Sequence, residues 1–273
     1  MLGAPGDGVR SDAEIVALLR ERGPALVALS GGVDSAAAAS LAHRALGARV
    51  VAATVRSGSV STRELTAADE VARVIGVRHL LVDAEPLDDD RYRANGPDRC
   101  FRCRSVETRA LRNVGRAQGV EQYLDGVQLD DLGDDRPGIR AMDEAGFFHP
   151  FLWAGWRKAD VRRYALGAGL PNWDRPSNAC LASRVARGEA ISRELLARVA
   201  RAEELLLDRG FRRVRVRVRG ERATVEVGAA ETARLREPSL RAEVVGELRR
   251  LGFRSVAVDP RGYVPRETLP VVR

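Results

Sequence analysis

Short apolar runs alternate with amphipathic stretches through the first two-thirds of the chain. Residues 25–30 (ALVALS) and 49–55 (RVVAATV) are apolar enough for buried strands, and residues 34–46 between them carry a helical pattern. Residues 62–75 follow as an amphipathic helix, 79–83 as a third strand, 104–118 as another helix and 122–127 as a fourth strand. Strands separated by helices of this length imply βαβ units. The expected fold class is therefore α/β, a twisted parallel sheet with helices on both faces.

The pattern then changes. Residues 130–138 (DDLGDDRPG) are acidic and turn-rich, and residues 171–187 (PNWDRPSNACLASRVAR) have little periodicity. Long irregular segments inside compact domains more often carry function than fill space. A helix over 192–209 opens a different region. Residues 213–219 (RVRVRVR) alternate strictly, 223–227 (ATVEV) follow a turn at Gly220, and a helical stretch near 241–251 precedes a last strand at 255–258. These elements predict a small α+β domain, residues 187–273, after an α/β domain of residues 1–186.

Composition narrows the partners. At 273 residues and 45% hydrophobic content the chain can build two cores and is not globally disordered. No run of about 18 or more apolar residues occurs, so a transmembrane helix is excluded. The start, MLGAPGDGVRSD, has neither a basic opening nor an apolar segment, so a cytoplasmic location and no membrane partner are expected. Net charge is +7, from 45 basic and 38 acidic side chains, and Lys158 is the sole lysine. The arginines are spread over every segment among carboxylates, as on a solvated surface, so charge alone does not call for a nucleic-acid partner. The single lysine also excludes a Walker-type loop, because no Gly-Lys-Ser/Thr triplet occurs.

Ser30-Gly31-Gly32-Val33-Asp34-Ser35 lies between a predicted buried strand and a predicted helix. Two glycines let the backbone turn tightly and bring N–H groups against an anion, and the helix start adds its positive dipole end. Ser30 and Ser35 can donate hydroxyls, while Asp34 can cap the helix or position a magnesium-bound pyrophosphate. A plain strand–turn–helix would account for one glycine but not the whole string. The string resembles the fingerprint of the PP-loop ATP pyrophosphatases, which implies cleavage of ATP between the α and β phosphates and adenylation of a substrate oxygen.

Three cysteines remain. Cys100 and Cys103 sit three apart where a helix is predicted to begin, and Cys180 lies in the irregular 171–187 stretch. A reducing compartment makes a structural disulfide unexpected, so metal ligands, reactive thiols and apolar fillers are the alternatives. Two thiolates at this spacing with a third from a distant loop can hold an iron–sulfur cluster with one iron open. Zinc would need a fourth ligand; His43, His79 and His149 form no ligand-spaced pair, though His149 could reach in three dimensions. The polar neighbours Asn178, Ser183 and Arg184 speak against an apolar pocket for Cys180.

The stretches 125–138 (DGVQLDDLGDDRPG), 169–174 (GLPNWD) and 179–184 (ACLASR) are similar to those of the LarE family of ATP-dependent sulfur transferases. The resemblance runs from the phosphate loop to about residue 229. It implies a PP-loop α/β domain and a small α+β domain for substrate binding and oligomerisation. The implied reaction converts the carboxylates of pyridinium-3,5-biscarboxylic acid mononucleotide to thiocarboxylates for the nickel-pincer nucleotide cofactor. In one branch of that family the cysteine matching Cys180 gives up its own sulfur. In another, a CxxC pair joins it in holding a [4Fe-4S] cluster, and the three cysteines here match that branch. Two departures stand out: Arg104 replaces the family's lysine after CxxC, and Gln128 replaces an asparagine in its DGxNxDD motif.

The resemblance also assigns residues. Cys180, Asp34, Arg184 and Ser183 are expected in catalysis, and Cys100, Cys103 and Cys180 as cluster ligands. Ser30, Gly31, Gly32, Val33, Asp34 and Ser35, with Thr54, Gly126 and Asp131, are expected around Mg2+-ATP. In the 213–219 run, period two puts the arginines on one strand face and the valines on the other. Guanidinium forks suit phosphate and carboxylate, although a solvated basic face would give the same pattern. The run resembles the family's phosphate-binding segment, with Arg215 and Arg217 matching, Arg219 in place of a histidine, and Glu226 on the next strand. The resemblance further implies a homo-oligomer, a small nucleotide-like dicarboxylate substrate and a separate supply of sulfide or iron–sulfur. A tRNA 2-thiolation enzyme also combines such a loop with CxxC and a distant cysteine, and a non-catalytic nucleotide-binding regulator would leave the cysteines idle.

Overall fold

The computed structural model describes residues 8–132, 137–176 and 179–263. It divides into two units, Met1–Tyr92 with Pro97–Asn178, and Arg93–Gly96 with Ala179–Arg273. The first unit begins with α1 (Asp12–Glu21), β1 (Ala25–Ala28), α2 (Val33–Leu46), β2 (Val50–Arg56), α3 (Thr62–Ile75) and β3 (Arg78–Asp83). A short α4 (Asp90–Arg93) leads to α5 (Arg99–Ala117) and β4 (Gln122–Leu124), then α6 (Pro137–Glu144), β5 (Phe147–Phe148), α7 (Pro150–Ala154) and α8 (Lys158–Gly167).

The five strands form one parallel sheet in the order β3-β2-β1-β4-β5. Alternation along β1 separates its two cores. Val27 packs with Ile15 and Leu19 of α1, Leu41 of α2 and Phe151, while Leu26 packs on the other face with Leu111, Tyr123, Met142 and Phe147. The sheet is thus covered on both faces, which is why its strands read as unbroken apolar runs. Ala36 to Ala39 are all fully buried, and their small side chains fit the first turns of α2 into the crowded interior beside the sheet. Chain order reverses between β1 and β4, the place where open α/β sheets bind ligands beyond their carboxyl ends.

The second unit contains α9 (Arg193–Asp208), β6 (Val214–Arg219), β7 (Arg222–Val227), α10 (Thr232–Arg236), α11 (Pro238–Arg250) and β8 (Ser255–Val258). Its sheet is mixed: β6 and β7 run antiparallel, β7 and β8 parallel. Val214, Val216 and Val218 are buried under α9, as the strict alternation predicts. No helix among the described residues is long and apolar enough to cross a membrane.

Several elements differ from the sequence reading. The helix expected from residue 104 begins at Arg99, so Cys100 and Cys103 lie within it; the Asp98 carboxylate there accepts from Arg102 one turn on, at 2.8 Å. β1 ends at Ala28, and Leu29 and Ser30 leave the strand to start the loop. The apolar pattern does not reveal α1, α6, α8 or β5. α1 has a usable signal, since Ser11 and Glu14 form a full capping box. β5 has two residues and cannot show a period.

Candidate active site

The loop after β1 is built by its own hydroxyls. Ser35 Oγ donates to the Gly32 carbonyl at 3.1 Å and accepts from the Ser30 amide at 3.1 Å, and the two serine hydroxyls lie 3.1 Å apart. Gly31 has φ +75°, and a Cβ there would meet Glu64 O and Ala68 N of α3 at 3.0 Å, so only glycine fits. Asn172 donates to the Gly31 carbonyl at 2.9 Å, so the 169–174 stretch holds the loop from outside. α2 starts at Gly32 with no side-chain cap, so the first-turn amides have no side chain of the loop folded over them. Val33 is buried and packs in the core.

Asp34 is not a helix cap. It lies in the first turn of α2 and pairs with the ammonium of Lys158, the first residue of α8. Burial pushes the Asp34 carboxyl above the usual carboxylate range, against the lowering effect of Lys158, and the nearby Asp131 adds to the rise. Its other oxygen, Oδ1, is buried and has no hydrogen-bond partner among the described residues. Asp130 accepts from the Lys158 amide at 2.9 Å and from Arg157 at 2.6 Å, so the loop after β4 clamps the start of α8. Asp131 caps the same turn by accepting from the Gln128 amide at 3.3 Å. Residues 133–136 of the acidic motif lie outside the described residues.

Gly126 lets the chain after β4 lie against the first turn of α2. A Cβ there would lie 2.5 Å from the Asp34 carbonyl carbon and 2.6 Å from the Ser35 nitrogen. Behind it, Asp125 Oδ1 lies 2.7 Å from His149 Nδ1, and His149 Nε2 lies 2.8 Å from Asp143. Burial disfavours a charged His149, but the two carboxylates outweigh it and its pKa is pushed up to about 9. The imidazolium thus ties the ends of β4 and β5 to α6. Thr54 is buried, and its hydroxyl is taken up by the Leu29 carbonyl and His79 Nε2, both at 2.7 Å. It shapes the start of the loop from below.

Cys100 and Cys103 lie one turn apart on α5, half-buried, and neither forms a disulfide. Cys103 Sγ donates to the buried Glu107 at 3.3 Å, and Glu107 accepts from Arg104 at 2.7 Å. Arg104, the replacement noted in the sequence, therefore neutralises a carboxylate beside the thiol. Among the described residues no group of three or more His, Cys, Asp or Glu side chains is gathered for a metal ion.

In the second unit, Cys180 stands at the start of a single 3-10 turn, Leu181–Arg184. Arg184 is fully enclosed. It pairs bidentately with Glu203 at 2.7 and 3.0 Å, and its other fork donates to Ala179 O at 2.7 Å, Cys180 O at 3.4 Å and Ser183 Oγ at 2.9 Å. Glu203 also accepts from the Val216 amide at 2.9 Å, so one buried ion pair fastens the cysteine turn to α9 and β6. Arg217 donates to Glu226 across the strands at 2.8 Å and to Ser183 O at 3.4 Å. Arg215 lies over the Tyr263 ring, 4.0 Å from its centroid, and burial with Arg184 and Arg217 close by pushes its guanidinium below its usual value. Cys180, Arg184, Ser183, Arg215, Arg217 and Glu226 are thereby brought into one neighbourhood, whereas Arg219 is exposed. Sequence reasoning missed Lys158, Asn172 and His149 as site residues; Lys158 had a signal in being the sole lysine.

The sheet order, the loop and the uncapped helix start define a PP-loop α/β protein. The asparagine synthase family matches residues 13–94, from α1 through α4. An uncharacterized protein of Synechocystis sp. is 38% identical over 88% of this chain and 89% of its own. The pyridinium-3,5-bisthiocarboxylic acid mononucleotide synthase of Lactiplantibacillus plantarum is 31% identical over 92% of this chain and 91% of its own. A tRNA-specific 2-thiouridylase MnmA of Xanthobacter autotrophicus is 32% identical, but over 56% of this chain and 49% of its own. The chain belongs to the LarE family, that of the Lactiplantibacillus synthase.

Proposed function

We propose that this protein adenylates a carboxylate of pyridinium-3,5-biscarboxylic acid mononucleotide with ATP and then replaces that oxygen with sulfur, in biosynthesis of the nickel-pincer nucleotide cofactor. The observation that carries the reading is the Ser30–Ser35 loop at the sheet's reversal point, in a chain matching a bisthiocarboxylic acid mononucleotide synthase over nine-tenths of its length. The loop's amides and the Ser30 hydroxyl receive the pyrophosphate end of ATP. A substrate carboxylate oxygen attacks the α-phosphorus; that P–O bond forms, the bond to the β-phosphate bridge breaks, and pyrophosphate leaves into the loop. The acyl adenylate makes AMP the leaving group when sulfur attacks the carboxyl carbon. Asp34, with an oxygen that has no protein partner among the described residues, suits the Mg2+ that accompanies ATP. Arg215 and Arg217, with Glu226 orienting Arg217, are proposed to hold the substrate's phosphate or free carboxylate.

Cys100, Cys103 and Cys180 suit an iron–sulfur cluster as a donor set, being half-buried thiols without disulfides, two of them one helical turn apart. A [4Fe-4S] cluster held by these three would supply an iron able to carry an extra sulfide. Arg184 holds the main chain of Cys180 and Ser183 from beneath. We propose that its enclosed guanidinium positions that turn.

The test uses the full chain prepared anaerobically, assayed for iron and sulfide, then for AMP with the biscarboxylate mononucleotide. Substrate-dependent AMP release together with a product carrying sulfur in place of oxygen is expected. AMP release stimulated by unmodified tRNA and not by the mononucleotide would overturn the reading in favour of tRNA thiolation.

A further inference from the structure

We propose that Asn172 is a positioning residue for phosphate binding: its side-chain amide decides which way the peptide between Gly31 and Gly32 faces, turning the Gly32 N–H and not the Gly31 carbonyl toward the anion. The inference rests on the ATP-cleaving reading and adds to it a residue outside the loop.

The end of α8 delivers this side chain. Gly169, at φ +68°, closes the helix with its amide donating to Leu166 O at 3.1 Å. Leu170 donates to Ala165 O at 2.9 Å and is buried in the core that also packs α2. The chain then turns back on itself: the Trp173 amide donates to Leu170 O at 3.3 Å, and the Arg175 amide to Asn172 O at 3.1 Å. Asn172 is left 6% exposed, with Nδ2 donating to Gly31 O at 2.9 Å. Arg175 Nη1 reaches the same carbonyl at 3.4 Å, and its own carbonyl accepts from Arg162 at 3.2 Å. Asn172 Oδ1 is buried and has no hydrogen-bond partner among the described residues. A buried amide with an unsatisfied oxygen costs stability, which points to a role other than holding the fold together.

The loop needs such a hold at this peptide. The one between Leu29 and Ser30 is fixed at both ends, by the Thr54 hydroxyl donating to its carbonyl at 2.7 Å and by Ser35 Oγ accepting from its amide at 3.1 Å. The peptide between Gly31 and Gly32 instead has a glycine on each side. Turning it over changes ψ of Gly31 and φ of Gly32 together, and glycine tolerates both outcomes, so local stereochemistry does not choose. Turned over, it would present a carbonyl dipole to a polyphosphate. The Gly32 amide offers little resistance, because its contact with Ser30 Oγ is long, at 3.4 Å. In a trans peptide the C=O and N–H point in opposite directions. Asn172 is buried and draws the carbonyl inward, so the N–H of the half-buried Gly32 faces outward at the start of α2.

Titration calorimetry of the full chain with magnesium pyrophosphate tests this. Removing the donor frees the peptide to turn, and a peptide that faces the wrong way nine-tenths of the time weakens binding roughly tenfold. Asn172→Ala should therefore raise the pyrophosphate Kd roughly tenfold at both about pH 7.5 and about pH 5. Asn172→Asp keeps the shape but, when ionised, sets an acceptor against the Gly31 carbonyl; protonated, its hydroxyl can donate as the amide did. Its Kd is read as a ratio to the native chain at the same pH, so that titration of pyrophosphate itself cancels. That ratio should be roughly ten or more near pH 7.5 and fall toward one near pH 5, because burial and the facing carbonyl raise the new carboxyl's pKa. A ratio within about twofold of one near pH 7.5, or raised equally at both pH values, overturns the proposal, and this decides the matter even where Asn172→Ala does not fold. Folded Asn172→Ala that binds pyrophosphate like the native chain also overturns it. If both variants behave as expected but the native chain releases no AMP with the mononucleotide, the Asn172 assignment holds and the adenylation reading falls. If the native chain releases AMP and the variants bind pyrophosphate normally, the Asn172 assignment falls alone.

Discussion

Two charged side chains carry opposite burdens in this protein. Asp34 is partly open, pairs with a partly exposed lysine, and keeps one oxygen unsatisfied among the described residues. Asp34→Ala should abolish AMP formation while changing stability by less than about 1 kcal/mol, because the broken ion pair is partly solvated; a normal melting curve with undiminished AMP release would sink its assignment. Arg184 is the reverse. It is fully enclosed, and removing it strands Glu203 in the interior. Arg184→Ala should cost about 3–5 kcal/mol in urea unfolding, and Arg184→Met with Glu203→Leu should regain only part of it, because the buried Val216 amide loses its acceptor. Arg215 and Arg217 lie between these cases, half-buried on β6. Their joint replacement by alanine should weaken substrate binding while sparing ATP binding, measured by separate titrations of the folded variant. Equal loss of both would misplace the substrate site. The ladder itself was legible because strict alternation has one reading on a strand. That Arg217 would spend its fork on Glu226 and Ser183 O was not, since register is set by pairing with β7 and by the turn before it.

At the level of elements, the chain after β4 is joined to the first turn of α2 by contact, and to β5 and α6 by charge. Gly126 allows the backbones to touch, and Asp125 behind it is bound to an imidazolium. The folded pKa of His149, about 9, lies above its ordinary value of 6.5. Its contribution to stability is therefore fully present below pH 6.5 and is lost as pH rises through 9. The linked free energy is on the order of 3 kcal/mol at most. His149→Gln should lower the melting temperature most near pH 6, with the gap from wild type closing by about pH 9.5. A gap that stays constant with pH would mean the ring is neutral in the folded state. None of this was legible from the sequence: Asp125, Asp143 and His149 are far apart or lack a motif period, and only the placement of β5 beside β4 brings them together.

The whole chain is tested by its cysteines, because Cys100 and Cys103 belong to one unit and Cys180 to the other. If the three hold a cluster, each single change to alanine should bleach visible absorbance and stop multiple turnover, since no fourth cysteine can substitute. A colourless protein that transfers one sulfur per chain and loses the mass of hydrogen sulfide at residue 180 would instead make Cys180 the donor. What the sequence determined by itself was local and periodic: the βαβ order, α3 to the residue, the phosphate loop, the alternating strand, and the motifs that resemble LarE. Those features depend on neighbours within a few positions, where hydrophobic period, glycine and hydroxyl spacing act directly. Tertiary structure decided the rest. Burial made Arg184 an anchor of the cysteine turn, and packing sealed Thr54 beneath the loop. The meeting of α8 with the end of β1 gave the sole lysine its partner, because such pairings join residues over a hundred positions apart, where no sequence period reaches.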